Sequence, residues 1–344
     1  MKKIKINMLS MADSVDGQGV GSAYLELMKL LKEDGKDDFE IYLNKGTKFD
    51  IIHAHTVEPR NYLKLKMAKC PTVAYVHFLP DTLDGSVKLP KLIFKIFKKY
   101  VISFYKSADH IVVVNPIFKK DLVKAGLDGN KVNYIPNFVS KEEFFKMKKS
   151  EIDKIKDKYN IDKKKFVVLG AGQVQNRKGV LDFVEVAKNL PDIQFIWAGG
   201  FSFGAITDGH NELKKVMENP PKNVKFLGII PRNDMNGLFN ISDLLFVPSY
   251  NELFPMTILE AVSTDTPILL RDLELYEDIL FKKYLKGSNN NEFKELIEKL
   301  KNDKNLYKEQ VENAKYISNF YSKDNVYKMW KDFYTRIYNE YFNI

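Results

Sequence analysis

Short apolar runs recur along this chain of 344 residues, separated by longer stretches whose apolar positions fall at helical spacing. In the first part the runs read KIKINML, FEIYL, FDIIHA, TVAYVHF, HIVVVN and VNYIPN. In the second they read KFVVLGAG, IQFIWAGG, VKFLG, LLFVPS and PILL. Runs this rich in Val, Ile and Phe are apolar on both faces, the pattern of parallel strands covered by helices on either side. Alternation of these eleven strands with helix-length segments predicts an α/β protein of two doubly wound, Rossmann-like parallel sheets. The charged, strand-free stretch at 140–165 marks the boundary, giving expected domains 1–145 and 146–323. Ligands of such sheets bind at the carboxyl ends of the strands, so the two domains are expected to face each other across a cleft. Near the C-terminus Tyr327, Trp330, Tyr334, Ile337, Tyr338 and Tyr341 make a stripe at helical spacing. A stripe of this kind is a packing face, and helix 324–344 is expected to dock back on the first domain.

Composition narrows the class. Apolar residues make up 44% and aromatic residues 13% of the chain, enough for two packed cores and against disorder. One cysteine, Cys70, rules out an internal disulfide framework and fits a reducing compartment. The N-terminus lacks a signal-peptide apolar region, and no apolar run has the length of a membrane span. The excess of 54 Lys and Arg over 45 Asp and Glu, +9, calls for an anionic partner: nucleic acid, anionic lipid or a phosphorylated substrate. No nucleic-acid motif is present, and aromatic residues do not interleave with the basic cluster as a base-stacking platform requires.

Candidate chemistry concentrates in three stretches. NMLSMADSVDGQGVGSAYLELMKLLKE runs from a strand through Gly17, Gly19 and Gly21 into a helix. Glycines at a helix N-terminus allow close approach of a phosphate, and they equally suit an ordinary strand-to-helix turn. In VPSYNELFPMTILEAVSTDTPILL, Glu252 and Glu260 lie eight apart, with a helix starting between them. Backbone N–H groups of Phe254, Met256 and Thr257 would then stand at a helix start, with Glu260 placed to accept two hydrogen bonds from a diol. The alternative is two exposed glutamates steadied by the helix dipole. Third, in KLPKLIFKIFKKYVISFYK, Lys91, Lys95, Lys98 and Lys99 form one face of a helix and Ile93, Phe97, Val101 and Phe104 another. Such a helix docks on an anionic membrane, or packs on a core with its lysines solvated. His77 ends TVAYVHF at a strand's carboxyl end, while His53 and His55 sit on a buried strand and read as packing.

The E-x7-E spacing after VPS, together with GAGQVQNRKGV, AGG, FLGIIPRNDMNGLF, FDIIHAHT and IPNFVS in order, resembles family 4 of the GT-B glycosyltransferases over essentially the whole chain. The resemblance implies a retaining, metal-independent hexosyltransferase that uses a UDP-sugar and no other cofactor. It implies that Glu260 holds the ribose, that Glu252 and the amides after it position the donor sugar, and that Lys178 binds the pyrophosphate. Gly19 would face the donor phosphate, with Gly17 and Gly21 shaping the turn, and His77 would lie beside the reacting sugar. Two positions depart from the family: its usual arginine five residues before Lys178 is Gln173, leaving Arg177 or another basic residue to compensate, and Leu253 stands where glycine is common. Lipid-glycosylating members carry a basic amphipathic helix in the first domain, as here. The opening stretch resembles bacterial transferases that add a second sugar to monoglucosyl diacylglycerol. UDP-glucose is the expected donor with UDP-galactose its rival, diacylglycerol or another lipid-linked or polysaccharide acceptor is the runner-up, and a GT-B-shaped epimerase remains a third reading. The expected location is the cytoplasmic face of the cell membrane, held peripherally, with no nucleic-acid partner.

Overall fold

The computed structural model describes residues 2–11, 19–80, 91–201, 209–252, 254 and 256–343, with the backbone alone at 19–23 and 91. The chain divides into two compact units, Met1–Phe138 with Lys323–Ile344, and Val139–Ser322. The division falls ahead of the expected 145/146 boundary for a packing reason. Phe144 is buried with its ring 5.9 Å from that of Phe239, and the Phe145 and Met147 N–H groups donate to Asn236 and Asn240. The lead into the second unit is therefore part of that unit's core.

The first unit runs β1 (Ile4–Leu9), α1 (Gly19–Glu33), β2 (Phe39–Leu43), β3 (Ile51–Ala54), α2 (Pro59–Met67), β4 (Thr72–Val76), α3 (Lys91–Lys106), β5 (His110–Val113), α4 (Ile117–Lys124) and β6 (Val132–Tyr134). Its strands pair in parallel in the order β2-β1-β3-β4-β5-β6. Strands β3 and β4 are buried throughout, as double coverage by helices requires.

The second unit runs α5 (Lys149–Lys158), β7 (Val167–Ala171), α6 (Val180–Lys188), β8 (Gln194–Ala198), α7 (His210–Glu218), β9 (Val224–Gly228), α8 (Arg232–Ile241), β10 (Leu244–Val247), α9 (Met256–Ser263), β11 (Ile268–Arg271), α10 (Glu274–Ile279), β12 (Leu285–Gly287), α11 (Asn290–Asn302) and α12 (Lys304–Phe320). Its sheet, again parallel, has the order β12-β11-β10-β7-β8-β9. Phe183, Phe195, Trp197, Phe246 and Phe293 form the aromatic heart of this core, edge to face or stacked at 4.8–5.8 Å. Strand β12, LKG, has no counterpart among the eleven expected runs because it is a short edge strand carrying a lysine.

Helix α13 (Lys323–Phe342) returns to the first unit and buries Val326, Trp330, Phe333, Tyr334 and Ile337. The stripe is rotated from the expected one: Tyr341 is exposed, and Tyr327 reaches sideways to donate its hydroxyl proton to Asp38. Lys331 pairs with the same carboxylate at 2.8 Å, and Lys323 with Asp34 at 3.0 Å, so charge pins the helix at the edge where aromatic packing ends.

Candidate active site

In the first unit His77 lies just past the carboxyl end of β4, and burial pushes its pKa down to about 3, so the imidazole is neutral. Its Nε2 shares a proton with His55 Nδ1 across 3.3 Å, which ties the tautomer of one ring to that of the other. Behind them the His53 ring stacks at 4.2 Å from His55, and His53 Nδ1 meets the Tyr334 hydroxyl of α13 at 2.7 Å. The sequence reads His53 and His55 as packing residues, and both are buried; His55 in addition touches the candidate site histidine. The alternation in FDIIHAHT, which puts both imidazoles on one face of a strand, was the available signal.

Gly17 lies outside the described residues. Gly19 opens α1, and Gly21 belongs to the helix's first turn instead of shaping a loop before it.

Helix α3 divides into two halves. Val101, Phe104 and Tyr105 are buried, and the Tyr105 hydroxyl donates to the Phe78 carbonyl. The first half exposes Leu92, Ile93 and Ile96 beside exposed Lys95 and Lys99, while Lys98 is half-buried; the Lys91 side chain lies outside the described set. Ile93 thus leaves the packing face expected for it, because α3 begins packing only lower down, where Phe97 stacks parallel to Phe78 at 6.5 Å. Among the described residues no helix is long and apolar enough to cross a membrane.

In the second unit the loops after β7 and β10 meet. Gly172 follows β7 with φ +137°, a conformation side chains rarely adopt, and lies against the Lys178 stem, which an added Cβ would meet at an ordinary 3.8 Å. Gly179, at φ +69°, lets the chain turn into α6 against the Pro248 carbonyl, where a Cβ would come within 2.3 Å. These two turns bring Lys178 into an ion pair with Glu252 Oε1, with side-chain exposures of 15% and 6%. Arg177 donates from Nε to Gln175 at 2.8 Å and accepts the Tyr250 N–H on its carbonyl at 2.8 Å, so it braces the same 250–252 loop. Arg271 braces that loop from below through the Pro248 carbonyl at 2.8 Å, pairs with Asp182 at 2.8 Å, and lies 3.9 Å from the Tyr250 ring centroid. Gln173 is half-buried beside Gly172.

Helix α9 starts at Met256, so the amides of Met256 and Thr257 belong to its first turn and have no partner within the helix. Phe254 is buried against Tyr321, with ring centroids 5.6 Å apart; Leu253 lies outside the described residues. Glu260, one turn into α9, is buried, and Arg232 Nη1 donates to its Oε1 at 2.9 Å. Burial raises its pKa above the ordinary value and Arg232 opposes that shift. Both glutamates are thus buried and cation-paired, not exposed at a helix start. Arg232 was quoted within FLGIIPRNDMNGLF but not singled out, since nothing in the spacing pairs it with Glu260 across 28 residues. The sequence gives no signal for Tyr276: its hydroxyl is buried without a hydrogen-bond partner among the described residues, and burial, with Glu252 nearby, holds it protonated.

The sequence model described as Glycosyl transferases group 1 matches residues 151–316, and that of Glycosyltransferase Family 4 matches residues 22–143. An alpha-galactosylglucosyldiacylglycerol synthase of Streptococcus pneumoniae is 47% identical over 97% of this chain and 90% of its own length. A processive diacylglycerol alpha-glucosyltransferase of Acholeplasma laidlawii is 29% identical over 86% of this chain and 85% of its own. Among solved structures, Anabaena HepE in complex with UDP-glucose superposes with a TM-score of 0.76 at 16% identity, covering 97% of this chain and all (100%) of that one. Sucrose-phosphate synthase of Thermosynechococcus elongatus gives 0.80 at 13% identity, with 98% and 100% covered. The two parallel six-stranded sheets, the two family matches and the full-length relative agree: the chain belongs to the family 4 glycosyltransferases of GT-B fold and is a hexosyltransferase.

Proposed function

We propose that the protein adds a second hexose, taken from a UDP-sugar, to monoglucosyl diacylglycerol at an anionic membrane surface, with retention at the anomeric carbon. The observation that carries this reading is the 47% identity, over 97% of the chain, to a synthase named for such a product. That name carries galactose, which favours UDP-galactose over the UDP-glucose expected from the sequence.

The chemistry follows from the residues. Glu260 accepts the two ribose hydroxyls, and the first-turn amides of α9 with Lys178 meet the diphosphate. The acceptor hydroxyl oxygen bonds to the anomeric carbon as the bond to the β-phosphate oxygen breaks, and the hydroxyl proton passes to the departing phosphate. Lys178 then shifts its charge toward the leaving group while remaining beside Glu252, so stabilisation grows as the phosphate charge grows. A neutral His77, its tautomer tied to that of His55, offers one ring nitrogen to a sugar hydroxyl and adds no charge. On α3, exposed Leu92, Ile93 and Ile96 flanked by Lys95 and Lys99 suit insertion at the headgroup level, with about 1 kcal/mol per basic residue from anionic lipid.

The test supplies UDP-galactose or UDP-glucose, separately, with vesicles of monoglucosyl diacylglycerol or of diacylglycerol. The expected result is one added hexose on the glucosyl lipid, faster with UDP-galactose, with an α anomeric signal in the product. Equal transfer to diacylglycerol itself overturns the second-sugar reading, and sugar-nucleotide conversion without lipid product overturns transfer altogether.

A further inference from the structure

Glu260 presents a problem that the proposed function leaves open. Its side chain is only 7% exposed, so water solvates it poorly, yet an ionised carboxylate is needed to accept both hydroxyls of a diol. We propose that Arg232 is the positioning residue for Glu260, gripping one carboxylate oxygen from behind so that the other is presented, ionised, to the diol. This rests on the reading of Glu260 as the ribose ligand.

The geometry is specific. Arg232 is the first residue of α8, directly after Pro231, where the backbone turns into the helix. Its Nη1 lies 2.9 Å from Glu260 Oε1, its Nε lies 3.2 Å from Glu143 Oε2, and its guanidinium carbon stands 5.1 Å from the Phe144 ring centroid. A planar fork held by two carboxylates and a ring has little freedom to swing. The contact with Glu260 is end-on through Oε1, and Oε2 accepts no hydrogen bond among the described residues. With Oε1 anchored, Oε2 keeps two lone pairs, enough to accept both hydroxyls of a diol. The charged groups facing Glu260 are Arg232 from α8 and Glu143 from the segment ahead of α5, and they act in opposite directions. Burial and Glu143 push the Glu260 carboxyl toward its protonated form, and Arg232 pushes it back.

Steady-state kinetics in UDP-sugar, measured across pH on the full-length enzyme, test this. Arg232→Gln should raise donor KM roughly tenfold at neutral pH with little change in kcat, and move the acid limb of kcat/KM upward. Arg232→Lys keeps the charge without the fork, so it should restore the limb and only part of KM. Glu143→Gln removes the opposing charge and should move the limb downward. Unchanged donor KM and limb in Arg232→Gln overturn the proposal. Should that variant not fold, an unmoved limb in Glu143→Gln together with full loss of donor affinity in Arg232→Lys overturns it as well. Glu260→Gln separates the two layers. If it leaves donor KM unchanged, the ribose reading itself fails; if it raises KM while Arg232→Gln does not, only the positioning role fails. In the Glu260→Gln background, Arg232→Gln should add nothing, and an undiminished second effect would mean that Arg232 acts on the donor directly.

Discussion

Acidification should unfold the first unit selectively. Burial pushes the pKa of His53 and of His77 down to about 3 and that of His55 well below its ordinary value, and the three rings are packed on one another. In the unfolded chain each imidazole returns to about 6.5. Between those values the unfolded state binds more protons than the folded one, so the stability is present above about pH 6.5 and is lost as pH falls toward 3. Going from pH 7 to pH 5 costs about 2 kcal/mol for each of His53 and His77, or about 4 kcal/mol for the two, and His55 acts in the same direction. That is comparable to the whole stability of a domain, about 5–15 kcal/mol. The second unit holds one histidine, His210, of the chain's five, and should respond far less. The protein's two tryptophans make the comparison direct, because Trp330 is buried in the first unit and Trp197 in the second. With Trp197→Phe, urea unfolding followed by Trp330 fluorescence should shift its midpoint by roughly 1–2 M or more between pH 7 and pH 5, taking a slope of about 2–3 kcal/mol per molar. With Trp330→Phe, the Trp197 midpoint should move by much less. An unmoved Trp330 midpoint would show that the three rings are solvated or already charged, and the neutral cluster described here would be wrong.

Three further outcomes follow from the site. Glu260→Ala should raise donor KM by roughly ten- to a hundredfold, and unchanged donor kinetics in a folded variant exclude it from nucleotide binding. Lys178→Ala should lower kcat by about 10²–10³ through lost leaving-group stabilisation, and an effect confined to acceptor KM contradicts that role. The same change strands Glu252 and should cost about 3–5 kcal/mol of stability; adding Glu252→Gln should recover the melting temperature but not kcat, which separates folding from catalysis. On α3, Leu92→Asp with Ile96→Asp, or Lys91, Lys95, Lys98 and Lys99 all to Gln, should abolish sedimentation with anionic vesicles, with added salt mimicking only the second set.

Much of this was legible in the residues, for reasons that also explain what was not. Strands such as VVLGA are apolar at every position because helices cover both faces, so eleven announced themselves, whereas LKG at the sheet edge has only one neighbour and no such demand. Glu252 and Glu260 stood out because one loop and one helix place both, and local spacing carries that information. Their pairing with cations did not. Lys178 is 74 positions from Glu252 and Arg232 is 28 from Glu260, and the pairing depends on which β-α turns the sheet order brings together. His55 was legible as a strand residue but not as the neighbour of His77, since that contact crosses from β3 to β4. Helix α3 misled in another way: periodicity identifies an apolar stripe but not how far along the helix a core exists to receive it.

The distribution of charge in the donor half constrains how a diphosphate is held. Glu252 is paired with Lys178, and Glu260 shares Arg232 with Glu143, so these groups carry no net positive charge before any ligand arrives. An incoming diphosphate therefore meets neutralised pairs and not a pool of unspent positive charge. With Gln173 in place of the family's arginine, the remaining means are the first-turn amides of α9, Arg177 beside the 250–252 loop, and a share of Lys178. A shared lysine is weak toward the ground state, where Glu252 competes for it, and strong toward the transition state, where the leaving phosphate gains charge while the carboxylate does not. On the proposed mechanism, the departure at Gln173 moves binding energy away from the bound donor and toward the departing one, the direction that raises kcat at the expense of donor affinity. Restoring the charge with Gln173→Arg should tighten UDP binding and lower donor KM while leaving kcat the same or lower. A variant that gains in kcat instead would mean that Gln173 limits leaving-group stabilisation, and that Lys178 is committed to Glu252 throughout the reaction.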